Sequence, residues 1–194
     1  MKTRTLLLAS AVVLTLTGAA RPAQAADTYQ LDSQHSYVLF KTKHLGIGWS
    51  FGVFHQVEGS YVLDPAAPAK SSFDLKVGAE SVVTGVEKRD QHLRSPDFLN
   101  AKEFPWITFR TTAVAKTATG YSLTGDFTLH GVTKPLTVAI EQTGEGDDPW
   151  GNRRTAFLAV FTIKRSEFGM TWGIDNNVVS DEIELTVSVE GVRK

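Results

Sequence analysis

The chain has 194 residues, with 20 Lys and Arg against 21 Asp and Glu, and no cysteine. The missing cysteine excludes disulfides, a thiolate nucleophile, a cysteine-ligated metal and the acylated cysteine of a bacterial lipoprotein. A near-neutral balance without a basic tract argues against a nucleic-acid-binding module and against general adhesion to an anionic membrane.

Residues 1–25 read as a secretory signal peptide. Lys2 and Arg4 give a basic start, "LLLASAVVLTL" from Leu6 to Leu16 is apolar, and "AQA" at Ala23–Ala25 supplies small residues for cleavage after Ala25. The apolar run is too short to span a bilayer, which takes roughly 20 residues. The expected product is residues 26–194, a soluble periplasmic protein without a lipid anchor. It carries 17 basic and 21 acidic residues, a formal charge of −4. Its length suits one domain with a sizeable core.

From there the pattern is mostly period-two. Weak alternation runs through Ser36–His44 and Gly52–Leu63, and Phe73, Leu75 and Val77 alternate after the turn signal "LDPAAPAK". Residues 85–100 interrupt the strands with a helical insert. Thr84 followed by Glu87 fits a capping box, and Ser95-Pro96-Asp97 reads as a second helix start. Alternation then resumes in Tyr121–Leu129, in Leu136–Ile140 and in Ile183–Val189, whereas "TAFLAVFTI" (Thr155–Ile163) is apolar on both faces and predicts a strand covered on each side. His130-Gly131 reads as a strand-to-strand turn. About eight antiparallel strands with one short helical insert leave a sandwich or a barrel, and strands of about ten residues are natural in a tilted barrel.

Five blocks in order carry a family likeness: "LDSQHSYVLFKTKHLG", "GVFHQVEGSYVLD", "RDQHLRSPDFLNAKEFPWITF", "LTGDFTLHGVTKPLTV" and "KRSEFGM". From about Tyr29 to Val192 the chain resembles the YceI family of exported proteins. The resemblance implies an all-β, eight-stranded, lipocalin-like antiparallel barrel. Its interior would hold a long apolar molecule, typically a polyisoprenoid such as the tail of a quinone. No cofactor is required beyond that ligand. Transient membrane contact and a homodimer are the other associations expected.

The candidate lining comprises Phe40, His44, Trp49, Phe54, Leu93, Phe98, Phe109, Phe127, Phe161, Phe168 and Trp172, because a lipid pocket wants apolar walls with few polar groups. Asp90 and His92 raise the question of catalysis. Two residues apart on a helix they do not face each other, so the expected role is to tie the insert to the barrel rim. The five histidines form no recognisable ligand spacing, and no metal site is expected. Two alternatives stand beside the carrier: an enzyme acting on a barrel-bound lipid with His92 or His44 as base, and a solidly packed interaction module.

Overall fold

A computed structural model describes residues 26–194; the expected signal peptide lies outside the described residues. The strands are β1 (Asp27–Leu31), β2 (Tyr37–His44), β3 (Gly48–Phe54), β4 (Val57–Leu63), β5 (Ser72–Gly78) and β6 (Val82–Val83), followed by the helix α1 (Glu87–Arg94). The second half holds β7 (Trp106–Lys116), β8 (Gly120–Leu129), β9 (Val132–Asp147), β10 (Arg153–Lys164) and β11 (Val179–Arg193).

These eleven strands form one antiparallel sheet that closes through β1 against β11. They occupy eight positions around a barrel. Tyr29–Leu31 of β1 face Arg193–Gly191, and Tyr37–His44 of β2 continue along the same edge of β11 from Ser188 to Val179. In the same way β4 pairs with β1 while β3 pairs with β2, and β5 pairs with β4 while β6 pairs with β3. The expected lipocalin-like barrel with a short helical insert is therefore the fold.

At the break between β1 and β2, Asp32 turns the chain. Its Oδ1 accepts the Gln34 amide at 3.0 Å, and its Oδ2 lies 2.9 Å from His35 Nδ1. Arg154 reaches across from β10 to Asp32 at 2.8 Å, to Asp148 at 2.7 Å and to Glu190. Asp32, His35 and Glu190 lie close enough together to share a cation, but the Arg154 guanidinium already supplies a positive charge there.

One end of the barrel is filled by aromatic rings. Tyr61 stacks on Tyr29 at 5.0 Å and on Phe73 at 5.1 Å, and Phe157 meets both Tyr61 and Phe73 edge-on. Such pairs stabilise beyond the area they bury, by about 0.5–1.5 kcal/mol. The buried Tyr61 hydroxyl donates to the Thr155 carbonyl at 3.1 Å, and burial pushes its pKa up. Gly191 makes room for it: a Cβ there would lie 2.3 Å from the Tyr61 oxygen. The opposite end carries α1, the β2–β3 and β8–β9 turns, and the segment between β10 and β11.

Three expectations need correction. Thr84 is not the N-cap of α1; Val86 holds that position without a side-chain cap. Thr84 instead donates its amide at 2.8 Å and its hydroxyl to Asp90 Oδ1. The stretch after Ser95 is a hydrogen-bonded turn, with the Phe98 and Asn100 amides on the Ser95 carbonyl, rather than a second helix. Nor is β10 covered on both sides: Val160 points outward and is 56 % exposed. His130 is the turn residue expected, left-handed at φ 52° with Gly131 following at 74°.

Two tests follow from this architecture. Phe157→Ala, which empties the middle of the aromatic end, is expected to cost about 3–5 kcal/mol in urea unfolding. Arg154 holds the Asp32 carboxyl at about 2, against an ordinary 3.8. The folded state disfavours that proton, so this stabilisation is complete above about pH 4 and disappears as pH falls toward 2, a loss on the order of 2 kcal/mol. Arg154→Met is therefore expected to lower stability at pH 7 and to flatten this acid limb, as read from urea midpoints at pH 7, 4 and 2.5.

Candidate binding cavity

Between the aromatic end and the helical end the barrel encloses a cavity of about 190 Å³. That exceeds the roughly 150 Å³ of an engineered apolar cavity that stays dry and admits benzene. The solidly packed alternative therefore does not hold. Strand alternation builds the wall: Phe40 from β2, Phe54 from β3, Phe109 from β7, Phe127 from β8 and Phe161 from β10 all line it. Leu93 from α1 and Phe98 from the following turn line it at the helical end.

The wall is almost free of polar surface. Among its residues only Thr42, Thr108 and Arg165 are polar, and the first and last have turned their polar atoms to other partners. Thr42 Oγ1 lies 2.9 Å from Ser180 Oγ. Arg165, 2 % exposed, donates from Nε to the Ser180 carbonyl at 2.9 Å, from Nη1 to Met170 at 2.8 Å and from Nη2 to Val179 at 2.8 Å. Burial pulls the pKa of this guanidinium down, and the ring of Phe98 lies 5.6 Å from its centre. A polar group pushed into the cavity would lose its water without gaining a partner, at a cost of about 1–3 kcal/mol or more. A hydrocarbon meets no such penalty.

Polar ties hold the helical cover in place. Asp90 is buried and takes both Thr84 donors. Arg94 donates to the carbonyls of Glu80 at 2.9 Å and Val82 at 2.8 Å. His92 Nε2 lies 2.8 Å from Asp97 Oδ2, and its ring meets Phe98 and Trp172 edge-on. The Asp90–His92 segment thus ties the insert to the rim.

Four of the expected lining residues are elsewhere. His44 is exposed at the end of β2. Trp49 is 52 % exposed on the outer face of β3, because Phe54 points inward and residues an odd number away point out. Phe168 is buried against Phe127 outside the cavity, and its carbonyl lies 2.9 Å from His130 Nδ1. Trp172 stands half-exposed over Phe98. Much of the wall is instead aliphatic: Leu123, Leu136 and Val138, with Ala159, Leu185 and Val187. The period-two runs already put most of these on one face, but choosing by aromatic character passed over them.

A closed antiparallel barrel around an apolar cavity, plugged at one end and covered at the other, defines a lipocalin-like binding barrel. The sequence profile of the YceI-like domain matches residues 29–191, and the chain belongs to that family. A UPF0312 protein of Yersinia enterocolitica is 44 % identical over 170 residues, covering 87 % of this chain and 88 % of the relative. Among solved structures, Burkholderia cenocepacia BcnA superposes with a TM-score of 0.74 at 26 % identity, over 82 % of this chain and 98 % of that one. A polyisoprenoid-binding domain from Saccharophagus degradans, implicated in plant cell wall breakdown, has the same fold, with a TM-score of 0.66 at 15 % identity, over 86 % and 98 %.

Gly52 faces Phe40 across β2 and β3, and a Cβ there would lie 2.3 Å from the tip of that ring. Gly52→Ala is expected to press Phe40 into the cavity, and Ala159→Phe to fill it directly. Both should weaken uptake of the fluorescent hydrocarbon diphenylhexatriene by roughly tenfold, measured by titration. Unchanged uptake in both would place the hydrocarbon outside the barrel.

Proposed function

We propose that the chain is an exported, periplasmic carrier that shelters a long apolar lipid, of the polyisoprenoid or quinone-like kind, in its barrel. The single observation that carries this reading is a cavity whose wall is apolar and in which the polar atoms of Thr42 and Arg165 are engaged elsewhere. Such a wall recognises a tail by its lack of polarity and leaves the head group at the covered end. The polyisoprenoid-binding domain of Saccharophagus degradans, which shares the fold, supports the choice of ligand class.

The energetics suit a carrier. Each buried methylene contributes about 0.8 kcal/mol relative to water, so a few isoprene units suffice to hold the tail. A bilayer offers the tail nearly the same gain, so transfer between protein and membrane is close to balanced and its rate is set by the cover. His44 and His92 do not line the cavity, which favours a carrier over an enzyme acting within it.

Protein secreted into the periplasm of its bacterial host, purified without detergent and extracted with organic solvent, is expected to release a long-chain isoprenoid or related lipid in near-equimolar amount. Mass spectrometry reads the result, with Ala159→Phe as the emptied control. Extracts free of lipid from several hosts, together with no uptake of added polyisoprenoid, would overturn the proposal.

A further inference from the structure

The β2–β3 hairpin shows two different faces. Inward, Phe40, Thr42 and Phe54 line the cavity. Outward, the register sets Lys41 opposite Phe51 and Lys43 opposite Trp49. Phe51 is 61 % exposed, and Ile47 at the tip is 82 % exposed. The tip is a tight turn, with the Ile47 amide on the His44 carbonyl at 3.0 Å and with Leu45 and Gly46 both left-handed, at φ 53° and 67°. Such turns favour Asn or Asp followed by Gly, yet here the first of these positions holds a half-exposed leucine. Turn chemistry does not account for that choice, and burial in the barrel does not either.

Placement and charge indicate what the hairpin meets. Its tip is at the covered end, the end where the cavity is not plugged by aromatic rings. Beyond Val53 and Phe54, β3 has no strand on its far side among the described residues, so Gly48–Gly52 forms a free edge of the sheet. From Tyr37 to Phe54 there are two lysines and no acidic residue, in a chain whose expected mature form carries −4. Lys43 lies 4.4 Å from the centre of the Trp49 ring, and Lys41, 5.0 Å from it, is paired with Glu184 at 2.9 Å. Within the hairpin segment itself the charge is positive, and Lys43 is the lysine left without a carboxylate partner among the described residues.

Aliphatic side chains at a tip, an aromatic band behind them and lysines interleaved with the band match the layers of a bilayer interface, where indole rings and ammonium groups lie at head-group depth. We infer that the β2–β3 hairpin is a membrane-docking element that seats the covered mouth of the barrel on a bilayer containing anionic lipid, Leu45 and Ile47 entering the acyl boundary and Trp49 and Phe51 the head-group layer. Its purpose, delivery or collection of a tail through that mouth, rests on the carrier reading; the docking itself does not.

The test uses the mature protein with vesicles of phosphatidylcholine alone or with one-third phosphatidylglycerol added. The parent is expected to float with the mixed vesicles and less with the neutral ones, and its tryptophan emission to shift to the blue. Ile47→Asp combined with Trp49→Ser should lower partitioning by roughly tenfold or more, and Lys43→Glu should remove the preference for phosphatidylglycerol. All three side chains lie outside the cavity, Ile47 and Trp49 exposed and Lys43 partly so, and thermal midpoints and diphenylhexatriene uptake should match the parent. Retained uptake with lost flotation supports docking as a separate property; lost uptake in the parent would count against the carrier reading alone. A parent that floats with neither vesicle, or a double variant that floats as well as the parent, overturns the inference. So does a dimer in sedimentation that Ile47→Asp dissolves while no form binds vesicles, since the free β3 edge would then belong to a second copy.

Discussion

Tyr61 sits where the barrel closes. Its ring is packed between Tyr29 and Phe73, its edge meets Phe157, and its hydroxyl takes the space that a side chain at residue 191 would need. Because β1 joins β11 at Gly191, the same contact seals the sheet and fills one end of the barrel. Without it the interior would lie open to water at the end away from the helical cover. With it, the interior is a blind pocket. The location of the cover, the orientation of a bound lipid and the position of the exposed hairpin all gain meaning from that asymmetry.

The covered end is held together differently. There the ties are polar: Asp90 to Thr84, Arg94 to the carbonyls of Glu80 and Val82, Arg165 to three further carbonyls. Each hydrogen bond of this kind contributes about 1 kcal/mol net, more where a charge is involved. Water can replace such bonds, whereas nothing in solution replaces the stacked rings at the other end. The covered end is therefore the one whose ties solvent can exchange. The rigidity of one end and the exchangeable ties of the other follow from the kinds of residue each contains.

Much of this was legible in the amino-acid order. Alternation identified most of the strands, though not β1 or β7, and it ran β3 into β4 across His55 and Gln56; the blocks shared with the YceI family identified the barrel. Seven of the expected wall residues, from Phe40 to Phe161, do reach the cavity. The failures have physical causes. Trp49 and Trp172 are aromatic but stand outside, since hydrophobic character alone does not say which side of a sheet a residue occupies. Parity counted from Phe54 would have placed Trp49 correctly. The spacing of Thr84 and Glu87 fits a cap, but the buried carboxylate of Asp90, three residues beyond Glu87, takes the Thr84 amide and hydroxyl instead. The aromatic plug could not be foreseen: Tyr29, Tyr61, Phe73 and Phe157 come from four strands, and only the register brings them together.

The three jointed strand positions are neighbours. β1 with β2, β3 with β4 and β5 with β6 make one continuous side of the barrel, while β7 to β11 supply the other with uninterrupted strands of 10 to 16 residues. On that second side the ladder between β9 and β10 runs only from Arg153 opposite Asp147 to Leu158 opposite Glu141, so Ala159–Lys164 and Val132–Ile140 continue toward the covered end without pairing to each other. The vessel therefore has a row of joints on one flank and a seam without strand pairing on the other. Widening the interior would break the fewest backbone hydrogen bonds along that seam, since none join β9 to β10 beyond Leu158 and Glu141.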